Sequence, residues 1–295
     1  MKRKKTSAVK KTNAKSNNDW NSTVSDVMNN PAWTGTVVTS RLLFSILDYF
    51  RMFVGIELLK LIVDESNKYA VQQNPNKPLN LSIEELEQWL GIVLCMSIIK
   101  LPATRLYWSR LLRVSHIADC MSCNRFEEIK RYVHFCDNYA PKNNTTSDHL
   151  YKIRPVLDHV VSNCKVLPSC EKYSVDEQII PFKGRSKLKT YNPKKPKRWG
   201  YKMFVICDVK GLVYNFGLYT GKEVQPPELP DIGASGNVVL RIATVVPSDQ
   251  NCKIYFDNWF CSITLQTALA ERKIWSLGTV RQNKIKIVYI SPMQK

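Results

Sequence analysis

The sequence predicts a chain in two parts, an all-α segment followed by an α/β segment. Three observations carry this reading. Apolar residues recur at i, i+3 and i+4 from Ser40 to about Cys164, the spacing of amphipathic helices. From Lys172 the period changes to two, as in strands buried on one face. The later elements then follow the order of three antiparallel strands, helix, strand, helix, strand, an α/β pattern. A length of 295 residues suits one large or two modest domains, and 44% hydrophobic residues with seven Trp suffice for a buried core.

Residues 1–31 are rich in Lys, Asn and Ser, lack periodicity and end at Pro31, so they read as a disordered basic tail. Residues 32–165 form the helical part. Leu42, Leu43, Ile46, Leu47 and Phe50 open its first apolar face, and Leu58, Leu59, Ile62 and Val63 extend it. Ser82-Ile-Glu-Glu85 has capping-box spacing, with the Ser oxygen taking the Glu85 N–H while Glu85 reaches back. The helix it opens runs through Leu86, Leu90, Val93 and Leu94 and ends before Pro102. Within it lies the longest apolar run, Gly91–Ile99, which reads as a buried helical turn and falls short of the ~18–20 residues that cross a bilayer. Arg125–Phe135 and Asp148–Val161 are further amphipathic stretches, Pro155 limiting where the second can begin.

Residues 166–285 form the α/β part, and 286–295 diverge from it. Tyr173–Ile180 reads as a strand entering a turn at Pro181. Tyr201–Asp208 and Leu212–Tyr219, joined by Val209-Lys210-Gly211, read as a hairpin. Asn237–Val246 reads as a helix, Lys253–Asp257 as a short strand ending in an acid, Ser262–Arg272 as a helix and Trp275–Val280 as a strand. That order is the layout of a ribonuclease-H-like core, here incomplete.

Charge is concentrated. The formal charge is +18, from 43 basic and 25 acidic residues. Seven bases (Lys2, Arg3, Lys4, Lys5, Lys10, Lys11, Lys15) lie within residues 1–15 and nine within 183–202, neither run holding an acid. The remainder, 27 bases against 25 acids, is nearly neutral. The second run comprises Lys183, Arg185, Lys187, Lys189, Lys194, Lys195, Lys197, Arg198 and Lys202, interleaved with Phe182, Tyr191, Trp199 and Tyr201. Two dense patches point to a polyanion, with DNA as the expected partner. The bases would contact phosphate and the aromatics sugar or base. The plainer reading makes the aromatics core and the lysines a solvated hairpin. Lys2–Lys5 has the character of a nuclear-localisation signal or a loose phosphate-binding arm, and no apolar stretch of a secretory leader follows it. Nine scattered Cys suit reduced thiols in a cytosolic or nuclear protein. Cys120-Met-Ser-Cys123 is a lone pair without a partner pair at zinc-finger spacing, and reads as ordinary helical cysteines.

Two acids stand where chemistry can be built. Asp176 sits in the first strand, and Asp257 ends a strand expected to lie parallel and adjacent to it. Two such carboxylates could converge on one cation, in the manner of two-metal phosphoryl transfer. Each also has a structural reading: Asp176 as a strand-edge acid paired with a nearby lysine, Asp257 with Asn258 as a helix cap.

Asp176-Glu-Gln-Ile-Ile-Pro-Phe-Lys-Gly-Arg185, Tyr191-Asn-Pro-Lys-Lys-Pro196 and Trp199-Gly-Tyr-Lys202 resemble the signature of piggyBac-type transposases. Tyr219-Thr-Gly-Lys222, Phe256-Asp-Asn-Trp-Phe260 and Gly278-Thr-Val-Arg-Gln-Asn283 continue the pattern in order. Upstream, Asn124-Arg-Phe-Glu-Glu, His134-Phe-Cys-Asp137 and Lys152-Ile-Arg-Pro155 match as well, so the resemblance covers roughly residues 40–285. It implies a cut-and-paste DNA transposase with a ribonuclease-H-like catalytic domain, a helical dimerisation and DNA-binding domain, TTAA target sites and a dimeric, nuclear protein. It also implies three aspartates holding two Mg²⁺ ions, Asp176 being similar to the first and Asp257 to the second. After Asp257 the only acid is Glu271, in the next helix. The third aspartate and the family's cysteine-rich zinc-binding tail have no counterpart here, so this chain alone is expected to be catalytically incomplete. The alternative expectation is a transposase-derived DNA-binding module without catalysis.

Overall fold

The computed structural model describes residues 31–36, 45–139, 148–193, 195–221 and 224–280. The basic tail, Leu42, Leu43, Lys194, Lys222 and residues 281–295 lie outside them. The first helix, α1 (Ile46–Gln73), is opened by a complete capping box. The Ser45 hydroxyl accepts from the Asp48 N–H, and the Asp48 carboxylate accepts from the Ser45 N–H. The helix therefore starts later than the periodicity from Ser40 suggests, and Ile46 and Leu47 face solvent. At Gly55 the backbone turns to φ 68°, ψ 154°, dividing α1 into two rods. A residue with a Cβ disfavours that φ, and a Cβ here would also lie 2.9 Å from His159 Nε2. The Phe53 carbonyl, beside the break, accepts from Asn163 Nδ2 at 3.0 Å.

The second helix, α2 (Ile83–Ile98), is capped by Ser82, whose hydroxyl accepts from the Glu85 N–H at 3.2 Å. The expected return arm is not made. Glu85 instead takes two bonds from Arg125, each 2.6 Å. Arg125 also donates to Glu128 and to the Leu79 carbonyl, tying the first turn of α2 to a later helix. A charged fork satisfied by two carboxylates outweighs a local N-terminal bond. The apolar run Gly91–Ile99 is buried only in part: Ile92 is enclosed, but Val93, Leu94 and Ile98 are exposed, Ile98 to 81%. No helix among the described residues is long and apolar enough to cross a membrane.

After a 3₁₀ turn at Thr104–Trp108 come the short α3 (Ser115–Ala118), α4 (Cys123–Tyr132) and α5 (Arg154–Cys164). Pro155 sits in the first turn of α5, so the helix starts at Arg154 rather than at Asp148. Leu58, Leu59, Ile62 and Val63 of α1 close on Leu86, Ile92, Phe126 and Ile129 to form one hydrophobic core.

The sheet follows. Its strands are β1 (Lys172–Pro181), β2 (Thr190–Tyr191), β3 (Trp199–Asp208), β4 (Val213–Leu218), β5 (Lys253–Phe256) and β6 (Trp275–Gly278), in the order β2-β3-β1-β5-β6, with β4 also on β3. β1, β3 and β4 are antiparallel neighbours, whereas β5 runs parallel to β1 and β6 parallel to β5. β2, a two-residue pairing against Trp199 and Gly200, has no period to betray it in the sequence. Between β4 and β5 lies α6 (Ala234–Ile242), extended by a 3₁₀ turn, and between β5 and β6 lies α7 (Ile263–Ala270).

Alternation sorts the strands into two faces. Tyr173, Val175, Phe204, Ile206, Ile254 and Phe256 pack beneath Val239, Leu240, Leu265 and Leu269 of the two helices, forming a second core. Trp33, which the sequence reading groups with the helical part, instead packs on this second core, held by bonds from Thr34 N to Gln250 O and from Asn251 Nδ2 to Ala32 O. On the other face of β1, Ser174, Asp176, Gln178 and Ile180 are all exposed.

Candidate functional site

The register of β1 on β5 pairs Val175 with Phe256, both pointing into the core. The next residue of each strand is an aspartate. Asp176, midway along β1, and Asp257, just past the end of β5, therefore each follow the last residue paired between the two parallel strands, about 4.8 Å apart strand to strand, on the face that no helix core fills. Both are exposed. In each, one carboxylate oxygen accepts from the following backbone N–H, Glu177 N at 2.7 Å and Asn258 N at 2.5 Å. Those bonds hold the two carboxylates in place. Asp257 is not the helix cap: Ser262 caps α7 by accepting from the Leu265 N–H.

A third group in this neighbourhood carries no signal in the sequence. Cys207 lies opposite Ser174 on the same face, and its thiol is pushed up by burial and by the Asp208 and Asp176 carboxylates beside it. No motif marks it; only the register brings it to Asp176.

From Asp176 the open face continues along β1 and β3. The pairs are Asp176 with Val205, Gln178 with Met203 and Ile180 with Tyr201, and then the β2–β3 pair of Tyr191 with Trp199. The Tyr201 ring lies tilted against Phe182 at 4.9 Å and the Trp199 ring tilted against Tyr191 at 4.7 Å. Tyr191 and Trp199 are 50% and 52% exposed, so they are surface rather than core. Around them Lys183, Arg185, Lys187, Lys197 and Arg198 are exposed and Lys195 is half-buried, its ammonium near the Glu177 carbonyl. Lys189 folds back onto the Gly184 carbonyl at 2.8 Å and over the Trp199 ring. Lys202 points the other way. Its ammonium lies 4.8 Å from the Phe204 ring and 4.6 Å from the Trp259 ring, on the helix-packed side, with the Glu177 carboxylate at 3.9 Å.

The nine cysteines are all free thiols, Cys123 being the first residue of α4 and Cys120 an exposed turn residue. Among the described residues no three His, Cys, Asp or Glu side chains converge as a metal cage.

A family model described as Transposase IS4 matches residues 46–294. The chain is thus a transposase-family protein. It is 31% identical over 241 residues to PiggyBac transposable element-derived protein 2 of Homo sapiens, covering 79% of this chain and 39% of that protein. PiggyBac transposable element-derived protein 3 of Homo sapiens is 28% identical over 243 residues, covering 81% and 40%. The cryo-EM structure of a piggyBac transposase synaptic complex with hairpin DNA superposes with a TM-score of 0.75 at 24% identity, over 86% of this chain and 54% of that one, a likeness of fold. Within the transposases the chain belongs to the piggyBac type. It spans about two fifths of the length of these curated relatives.

Membership of this family implies a divalent metal cofactor. The hard carboxylate oxygens of Asp176 and Asp257 fit such an ion in chemistry and placement, but two residues do not complete a cage.

Proposed function

We propose that this chain binds DNA across the open sheet face and contributes two carboxylates to the phosphoryl-transfer centre of a cut-and-paste transposase acting at TTAA sites. The observation that carries it is the single face shared by Asp176, Asp257 and the exposed Tyr191 and Trp199, with the cation-rich segment 183–198 running between β1 and β3 beside the two aromatics. Lys183, Arg185, Lys187, Lys195, Lys197 and Arg198 would hold the phosphate backbone, with Tyr191 and Trp199 against sugar or base. Asp176 and Asp257 would ligate Mg²⁺, which supplies an activated oxygen nucleophile and neutralises charge on the phosphate. The backbone N–H bonds at Glu177 and Asn258 orient the two carboxylates for that task. The strand order and directions support a ribonuclease-H-like core over 166–285. The helical part, 32–165, is then the dimerisation and DNA-binding domain of a nuclear homodimer. With two ligands where three are needed, the isolated chain binds without completing cleavage.

The purified chain, TTAA-containing duplex and Mg²⁺ or Mn²⁺ test this directly. The expected result is binding that weakens steeply with salt and no strand scission. Binding indifferent to salt would defeat the DNA reading. Nicking lost in both Asp176→Asn and Asp257→Asn would overturn the incompleteness and leave the metal assignment standing.

A further inference from the structure

Behind the sheet, on the side opposite the carboxylates but at the same end, lies a cavity of about 900 Å³. It opens among β3, β4, the start of α6 and the chain leading into α5, beside Trp259, two residues beyond Asp257. Two of its lining residues, Lys202 and Tyr219, are joined through the backbone. The Lys202 ammonium is fixed against the stacked rings of Phe204 and Trp259. Tyr219, whose N–H donates to the Lys202 carbonyl at 2.8 Å, leaves 40% of its surface free. Arg154 and Arg241 add positive charge to a wall that also holds Asp231, although Arg154 already grips Asp148 through two bonds. Gln225 lines the same space with its Oε1 buried and without a hydrogen-bond partner among the described residues, an acceptor placed for an incoming N–H.

A cation fixed by aromatic faces, an exposed ring beside it and an orphaned acceptor suit a phosphate, a planar base and a base N–H respectively. We propose that this cavity takes one nucleotide displaced from the duplex beside the phosphate that Asp176 and Asp257 face. Lys202 holds its 5′-phosphate, Tyr219 stacks on its base and Gln225 accepts from the base edge. The size allows it, since ligand pockets of ~300–1,000 Å³ enclose molecules of this class. The inference rests on the DNA reading above, and its test separates the two.

The probe is 2-aminopurine deoxyriboside 5′-monophosphate, whose fluorescence is quenched on stacking, titrated into the full chain. Saturable quenching is expected, at least fivefold weaker in Tyr219→Leu and in Lys202→Met and unchanged in Lys210→Gln, an exposed residue of the β3–β4 turn away from the cavity. Should Lys202→Met fail to fold, half-exposed Tyr219 still decides. Removing the probe's phosphate should cost affinity in the parent but not in Lys202→Met. No quenching at millimolar probe, or quenching equal in parent and Tyr219→Leu, overturns the proposal. If duplex still binds with steep salt dependence in that case, only the cavity assignment falls; if neither binds, the DNA reading falls with it.

Discussion

At the scale of single residues, the molecule's charges are placed by partners rather than by sequence neighbours. Arg125 holds Glu85, Glu128 and the Leu79 carbonyl at once. Asp137 is held down to about 2, chiefly by the Lys68 ammonium. A depressed carboxylate stabilises above its unfolded value near 3.8 and loses that contribution as pH falls through about 2. The parent and Lys68→Met should therefore differ in urea midpoint at pH 7 and converge near pH 2. The Cys207 thiol offers a probe of the carboxylate site. With Asp176→Asn, the pH profile for alkylation of the Cys207 peptide should move to lower pH, because one of the negative neighbours that oppose the thiolate has gone.

At the scale of elements, what the sequence made legible was whatever its own period encoded. β1, the β3–β4 hairpin, β5 and α7 were readable because their apolar residues alternate or recur on one face. The reciprocal half of the Ser82 cap was not, since nothing in Ser82–Glu85 tells that Arg125, forty residues on, displaces it. The Ser45 cap was hidden by apolar residues on its N-terminal side, and β2 by being two residues long. Asp176 and Asp257 could be nominated from sequence; their sharing one face required the Val175–Phe256 register. The break in α1 makes its own prediction. Gly55→Ala must adopt a left-handed φ and crowd His159, so a loss of about 1–3 kcal/mol is expected by thermal or chemical denaturation.

At the scale of the whole molecule, two hydrophobic cores set a scaffold, and the dense cations of residues 183–198 lie outside both. Replacing Lys195, Lys197 and Arg198 together with Gln should weaken duplex binding and flatten its dependence on log salt by roughly 0.9 for each phosphate no longer neutralised. The melting temperature should stay within a degree or two, on the order expected of surface substitutions, since these residues lie outside both cores. Asp176→Asn with Asp257→Asn should leave the fold equally stable or more so, because two exposed like charges side by side repel. A marked drop in melting temperature there would show that the pair is structural.

The strict alternation along β1 has a consequence for how such chains diverge. Tyr173 and Val175 answer to packing, while Ser174, Asp176 and Gln178 answer to whatever meets the surface. Mutation can therefore wear away one set without touching the other. A chain altered at its outward-facing residues can go on folding, and those positions are free to take on new work while the scaffold endures.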